Sequence, residues 1–481
     1  MARRFTLRSP LPVPPASLWA WHARPGAFAR LAPPWQRVEP LGEPAAPAEG
    51  ARTTLRLKTG PVWRRWVARH EDVRPGAGFT DVQERGPFAT WRHVHRFLPR
   101  PGGSHLEDDI TFALPGGALG TWLGAGFVRR ALTRVFRWRH ATTAADLARH
   151  GTTALGPQRI LVSGAGGLVG SQLLPFLRTG GHEVIRLVRR EAGPGERRWD
   201  PSSASLDPAL FADVDAVIHL GGVGIADKRW SAARKEAIRE SRTGSTRRLA
   251  EAIAQASPRP RTLLVASAVG IHGSRGDEVL DEQSTPGADF LAGVCQAWEA
   301  AADPARAAGV RTAHLRFGVI LDPRGGALGR MLPPFRMGAG GRLGSGTQWM
   351  AWVALDDVLG AILHVLGTPS LAGPVVVAAP EPVRQRDFAR ALGRVLGRPA
   401  FLPMPAFVAR MAFGEVADAL LLASQRPHPS ALLRSGFRFH HPTLDGALRH
   451  MLGRAPQAAP APSTQRTSTP TESPSCATTS S

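Results

Sequence analysis

The clearest chemistry in this sequence lies in three glycines at fixed spacing, Gly164-x-x-Gly167-x-x-Gly170, within Ser163-Gly-Ala-Gly-Gly-Leu-Val-Gly170. An apolar run, Arg159-Ile-Leu-Val162, leads into them, and a helical pattern runs out from Leu168 to about Thr179. In that setting Gly164 makes the tight turn off a strand. Gly167 lets a pyrophosphate approach bare backbone at a helix N-terminus, where free N–H groups and the helix dipole favour an anion. Gly170 lets the helix pack close to the sheet, and Leu168 and Val169 belong to the same cofactor-binding turn. The plain alternative is an ordinary tight turn of an α/β domain. A second apolar run, Glu183 to Val188, completes strand–helix–strand and favours a dinucleotide.

That second strand ends at Arg189-Arg190. A site for NAD usually carries an acidic residue here for the ribose 2′-hydroxyl. Two arginines suit a 2′-phosphate, so NADP is expected and NAD is the lesser expectation; in so arginine-rich a chain the pair also fits a plain surface. Leu220-Gly221-Gly222 closes the buried run from Asp215 and leaves room for another backbone segment beside the cofactor. His93-x-His95 places two imidazoles on one side of a strand. No third ligand has suggestive spacing, so they are expected as polar positions on a sheet face, with no metal site.

The elements that must position these residues alternate. A helix is expected over Ser231 to Ala256, a strand over Thr262 to Ser267, one helix over Gly287 to Ala308, and strands over Arg311 to Phe317 and Leu371 to Ala379. The segment Glu191 to Pro208 reads as turns. This is the pattern of a doubly wound parallel sheet. The first 150 residues differ. A short helix opens at Pro14-Pro15, five alternating strands follow between Thr53 and Leu114, and a helix from Phe127 to His140 closes an α+β unit. The expected organisation is 1–150, a linker 151–158, the nucleotide-binding domain 159–399, a small C-terminal module 400–452 that covers the cleft, and a disordered tail 453–481.

The net charge of +22 invites nucleic acid or an anionic membrane as partner. The excess is scattered arginine, with lysine only at positions 58, 228 and 235, so a solvated surface is expected and no specific nucleic acid. Two cysteines, Cys295 and Cys476, give no disulfide framework. No stretch approaches the roughly 20 apolar residues of a membrane span. A cytoplasmic location is expected.

Several motifs extend the glycine fingerprint: Gly224-Ile-Ala-Asp-Lys-Arg-Trp230, Arg316-Phe-Gly-Val-Ile-Leu-Asp322, Met331-Leu-Pro-Pro-Phe-Arg336 and Gly338-Ala-Gly-Gly-Arg-Leu-Gly-Ser-Gly346. Together they resemble the atypical "epimerase family protein" branch of the extended short-chain dehydrogenase/reductases, in the NAD-dependent epimerase/dehydratase family. Pro403-Met-Pro-Ala-Phe407 and Gly436-Phe-Arg-Phe439 resemble that branch's C-terminal domain of unknown function. Trp21 to Phe28 and Gly86 to His93 resemble the START-like (SRPBCC, polyketide cyclase) superfamily, a helix-grip fold that often holds an apolar ligand. The resemblance therefore implies a Rossmann-like domain preceded by a START-like one, a small-molecule or lipid-like substrate, and a possible homodimer.

Active members of the superfamily use Ser or Thr, Tyr and Lys, the Tyr exchanging a proton with substrate and the Lys lowering its pKa. Ser267 occupies the serine position. The sequence contains no tyrosine, and Phe290 and Val294 stand where the Tyr and Lys would fall. His272 is expected either as a substitute acid or base near neutral pH or as a space-filling residue. Glu299 reads as a helix-surface or interface residue, and Asp356-Asp357 as a cap for a helix beginning at Val358. Arg316 and Arg336 are expected to hold an anion or the cofactor's far end, or to lie on the surface. The implied function is an oxidoreductase lacking the Tyr–Lys pair. A non-catalytic NADP sensor or scaffold tied to cell division, and a lipid carrier, are its alternatives.

Overall fold

The computed structural model describes residues 2–153, 155–203 and 205–455. The expected disordered tail therefore falls largely outside the described residues, as does Cys476. Among the described residues no helix is long and apolar enough to cross a membrane.

The front unit is a seven-stranded antiparallel sheet, ordered β1-β7-β6-β5-β4-β3-β2. Its strands are β1 (Arg3–Leu11), β2 (Val38–Pro40), β3 (Arg52–Thr59), β4 (Val62–Arg74), β5 (Gly78–Arg85), β6 (Thr90–Arg100) and β7 (Gly103–Ala113). Two short helices, α1 (Pro15–Ala23) and α2 (Ala27–Arg30), precede the sheet's middle, and α3 (Gly117–Thr152) lies along it. Pro15 starts α1, where its missing N–H costs nothing. Strand β6 alternates: Trp91, His93, His95 and Phe97 point inward. The apolar members pack with Ile110, Phe112, Leu132 and Phe136 at one end, and with Leu18, Trp21, Phe79 and Leu106 at the other. Each such side chain contributes about 1.5–3 kcal/mol on burial.

Two expectations change here. Strand β1 has no match in the sequence pattern, because its arginines and Pro10 hide the period-2 signal; its pairing with β7 supplies the order instead. Helix α3 begins ten residues earlier than expected and runs into the expected linker. Its first turns contain Gly117, Gly120, Gly124 and Gly126, which read as loop; Leu119, Trp122, Leu123 and Phe127 there remain exposed.

Between these apolar ends lies a polar interior. His93 and His95 share a sheet face as expected, but they are buried and meet Asp81 from β5 and Asp108 from β7. Burial opposes ionisation of the Asp108 carboxyl, yet the surrounding imidazoles, His95 first, hold it well below the usual range. His95 is correspondingly raised to about 9, against its own burial, by Asp108 and Asp81.

The second unit is an all-parallel seven-stranded sheet, with two strands placed on one side of β8 and four on the other. Its strands are β8 (Arg159–Ser163), β9 (Glu183–Val188), β10 (Glu196–Arg198), β11 (Ala216–His219), β12 (Thr262–Ala268), β13 (Arg311–Phe317) and β14 (Gly373–Val377), in the order β10-β9-β8-β11-β12-β13-β14. Both faces are covered. Ile160 and Val162 pack under α4 (Gly170–Thr179) and α9 (Leu355–Gly367). Leu161 packs on the other side, with α5 (Ala232–Gln255) and Trp298 of α6 (Phe290–Ala300). The helix expected over 287–308 is two, because Pro304 cannot donate to a continuing ladder and starts α7 (Asp303–Ala307) instead. The segment read as turns contains β10, a three-residue edge strand held by parallel pairing to β9.

After β13 come α8 (Gly326–Arg336), α9, then α10 (Gln385–Leu396), closed by Gly397 at φ 66°. Helices α11 (Ala406–Phe413), α12 (Ser430–Arg434) and α13 (Leu444–Met451) form the C-terminal part. Asp356 and Asp357 are not caps. They lie in the first turn of α9, and their carboxylates face the front unit. Buried Arg30 of α2 bonds Asp146 of α3 at 2.8 Å and Asp356 at 3.0 Å. Arg149 of α3 reaches Asp357 at 2.6 Å, which also accepts the His440 and His441 N–H groups. The two sheets are thereby joined through buried charge.

Candidate functional site

The strand order reverses at β8, whose neighbours are β9 and β11, and the crevice at their carboxyl ends is where such sheets take ligands. The glycine turn occupies it. Gly164 has φ +72°, and a Cβ there would stand 2.7 Å from the Leu220 carbonyl carbon. A Cβ on Gly170 would stand 2.4 Å from the Gly164 oxygen. Both positions thus require glycine for packing. The turn's outer side differs: a Cβ on Gly167 would meet only the Gly164 oxygen, at 3.3 Å, and one on Gly166 nothing within 4 Å. Helix α4 begins at Gly170 with no side-chain cap; the Ser171, Gln172 and Leu173 N–H groups bond the Gly167 and Val169 carbonyls, so a ligand would meet the N–H groups just ahead of them. Leu168 and Val169 are half-buried, with Leu168 against the start of α8. Gly221 lies beside Gly164, and Gly222 beside the Arg242 guanidinium.

At the end of β9 the two arginines part ways. Arg190 is engaged bidentately by Glu196, with both bonds at 2.7 Å. Arg189 is exposed and makes no ion pair among the described residues. Beneath the turn, His219 Nδ1 lies 2.5 Å from the Ser163 hydroxyl, and burial pushes its pKa down to about 4, so the ring is neutral.

Ser267 is the penultimate residue of β12 and is buried. Its hydroxyl donates to Glu299 Oε1 at 2.7 Å. Arg316, its register partner on β13, grips the same carboxylate with two bonds of 2.9 Å and the Glu282 carbonyl at 3.1 Å. Burial opposes the Glu299 charge, but the Arg316 guanidinium outweighs it and holds the carboxyl below its usual range. Two expectations are thereby corrected. Glu299 is not a surface residue but the centre of this cluster, and Arg316 has its guanidinium satisfied internally rather than turned to a cofactor. Arg336 is elsewhere, with Trp35 and Arg134 around a cavity of about 340 Å³.

His272 is fully buried, neither ring nitrogen has a partner, and burial pushes its pKa down to about 4. The ring is therefore neutral at pH 7, and its burial suits the space-filling alternative. Phe290 begins α6 with Trp230 at 5.1 Å between ring centres. The Lys235 ammonium sits 5.0 Å over the Phe290 ring and pairs with Glu415 at 2.6 Å. Sequence reasoning left Lys235 out of the site; its rarity in the chain was the available signal. The Gly338–Gly346 loop lines a second cavity of about 750 Å³, with Arg384, Arg386 and Arg410.

Comparison with known proteins follows this division. Residues 160–378 match the model of the NAD dependent epimerase/dehydratase family. An epimerase family protein of Mycobacterium tuberculosis is 45% identical over 296 residues, which is 61% of this chain and 98% of that protein. The chain belongs to the NAD-dependent epimerase/dehydratase family. Within this epimerase-family chain, residues 11–139 match polyketide cyclase / dehydrase and lipid transport proteins, and residues 404–451 match a domain of unknown function (DUF1731). Human epimerase family protein SDR39U1 is 36% identical over 299 residues, covering 61% of this chain and 99% of its own. Its crystal structure with NADPH has a TM-score of 0.56 at 33% identity and covers 61% of this chain and 98% of that one. A nucleoside-diphosphate sugar epimerase from Corynebacterium glutamicum has a TM-score of 0.77 at 35% identity and covers 93% of this chain and 90% of its own, front unit included. The Rossmann-like epimerase fold behind a polyketide cyclase-like unit agrees with the sequence reading.

Proposed function

We propose that this chain binds NADP(H) across Gly164 to Gly170 and is an NADP-dependent oxidoreductase acting on a small molecule. The observation that carries the reading is the turn itself: glycine is forced at 164 and 170 by packing, while 166 and 167 stay open at an uncapped helix end. Leu168, Val169 and Gly170 would lie along the pyrophosphate, Leu220 to Gly222 beside the nucleotide, and Arg189 would take the 2′-phosphate. When bound, the nicotinamide supplies hydride transfer.

The chain's own residues then orient substrate. Ser267 donates its hydroxyl hydrogen bond to Glu299, so its rotamer is fixed and its lone pairs would remain to accept a bond from a substrate hydroxyl. Glu299 and Arg316 position it. Phe290 replaces the expected phenol with an apolar surface, and we take Lys235, whose ammonium lies over that ring and pairs with Glu415, as the candidate donor to a substrate oxygen.

A second reading, a non-catalytic NADP-binding protein, draws on one observation: the sequence has no tyrosine and His272 is sealed from solvent. One experiment separates the two. NADPH and NADH binding is measured for wild type and Gly167→Asp, and then NADPH oxidation is followed over a panel of small aldehydes and ketones with wild type and Lys235→Met. Binding lost in Gly167→Asp, with turnover reduced in Lys235→Met, supports the oxidoreductase. Tight binding without turnover supports the second reading. A folded wild type that binds neither nucleotide refutes both.

A further inference from the structure

We propose that the polar interior of the front unit binds a divalent first-row transition-metal ion between Asp81, His93 and His95. The register of the sheet makes the site. His93 and His95 are two apart on β6 and share a face, and β5 brings Asp81 directly opposite His93. One donor atom from each lies within 4.8 Å of the other two. Ligands bound to zinc at about 2.0–2.2 Å stand roughly 3.3 Å apart in a tetrahedron, so small side-chain rotations close the set.

The surrounding layer is already in place. Asp108 Oδ1 stands 2.8 Å from His93 Nε2 and 2.8 Å from His95 Nδ1, which leaves the opposite nitrogen of each ring for an ion. A metal-bound imidazole ordinarily directs its second N–H to such a carboxylate. Asp108 is itself held by His140 Nε2 at 2.6 Å, and His140 Nδ1 faces Ser9 at 2.8 Å. His70 holds Asp81 Oδ1 at 2.6 Å, leaving Oδ2 toward His95.

Two further observations separate this cluster from a merely filled core. His70 Nε2 and His95 Nδ1 lack any partner with hydrogen-bond geometry, although both residues are only 7% exposed. The His95 nitrogen stands 2.8 Å from Asp108 Oδ1 without making a hydrogen bond to it. Among the described residues, moreover, Asp81 and Asp108 have imidazoles alone as ion-pair partners. Neither carboxylate has a Lys or Arg bonded to it, so the positive charge facing them is carried by imidazole alone, and a divalent ion held by the same rings can take its place. Two imidazoles and one carboxylate select zinc, cobalt or iron over magnesium or calcium. The Asp81 side chain, 24% exposed, gives the ion a way in. The other grouping of this kind, Asp356, His441 and His450, already has Arg30 on its carboxylate and serves as the control.

The test uses the full chain without an affinity tag, dialysed against Zn²⁺ or Co²⁺ and then against metal-free buffer. One retained equivalent is expected, with the visible d–d absorption of protein-bound Co²⁺ and a higher Tm with zinc. Asp81→Glu is expected to move the Co²⁺ band, Asp108→Asn to weaken affinity about 10- to 100-fold, and His441→Gln to change neither. A folded wild type that keeps only a small fraction of an equivalent, with Co²⁺ showing the spectrum of the aqueous ion, would overturn the proposal. So would a bound-Co²⁺ spectrum insensitive to Asp81→Glu but lost in His441→Gln.

Discussion

Replacing Glu299 by Gln tests the cluster around Ser267 most directly. The substitution keeps the shape and one acceptor oxygen, and removes the charge. Arg316 is then left 7% exposed with a full positive charge. Losing one partner of a buried pair costs about 3–5 kcal/mol. Arg316 keeps the Glu282 carbonyl, and the Glu299 side chain is 14% exposed, so the low end, about 3 kcal/mol, applies. For a unit of this size that is roughly 6–12 °C in Tm. Removing both charges, with Glu299→Leu and Arg316→Met together, is expected to cost less than the sum of the two single changes by about 2 kcal/mol. Urea unfolding followed by tryptophan fluorescence reads all four corners of the cycle; Trp298 adjoins the cluster. Single and double variants that add within about 0.5 kcal/mol would show that Glu299 and Arg316 act independently, and the argument that they jointly position Ser267 would fall.

Arg189→Ala is expected to raise the NADPH Kd by about 10- to 150-fold, equivalent to a charge-assisted bond of about 1.5–3 kcal/mol, with NADH nearly unchanged. Arg190→Ala should change NADPH binding far less, because Glu196 already holds that guanidinium; titration calorimetry with both nucleotides distinguishes them. Arg30→Met leaves Asp146 buried without its bidentate cation and should lower stability by about 3 kcal/mol or more, with the Asp146→Leu double variant recovering part of it on chemical denaturation. His219, lowered to about 4 in the folded chain by burial, takes up its proton more readily when unfolded, so it favours folding above about pH 6.5 and that contribution is lost as pH falls toward 4. Denaturation midpoints across that window should fall with pH, and less steeply in His219→Gln.

The parts of this protein that were legible in its sequence are the parts made locally. The glycine turn depends on residues six apart, and its spacing states its geometry; the parallel strands announce themselves as apolar runs. The clusters around it depend on register instead. Ser267 and Arg316 are paired only because β12 lies beside β13, and Glu299 reaches them from a helix between the two in sequence. No periodicity marks Glu299 as buried, since its helix neighbours are mostly small. The spacing of His93 and His95 states that they share a face, yet Asp81 and Asp108 join them through cross-strand pairing that spacing along one strand does not encode. Asp356 and Asp357 look like caps for the same reason: the arginines that claim them are more than 200 residues away in the chain.

That acidic helix end also bears on how such proteins are inherited. The mycobacterial and human relatives match this chain over 61% of its length and nearly all of their own, so they are built without a front unit. A chain of that kind has no Arg30 or Arg149 to meet the first turn of α9. In this chain, loss of the front unit would leave Asp356 without Arg30 and Asp357 without Arg149, two stranded acids on a surface shaped to be covered, so the two units stand or fall together.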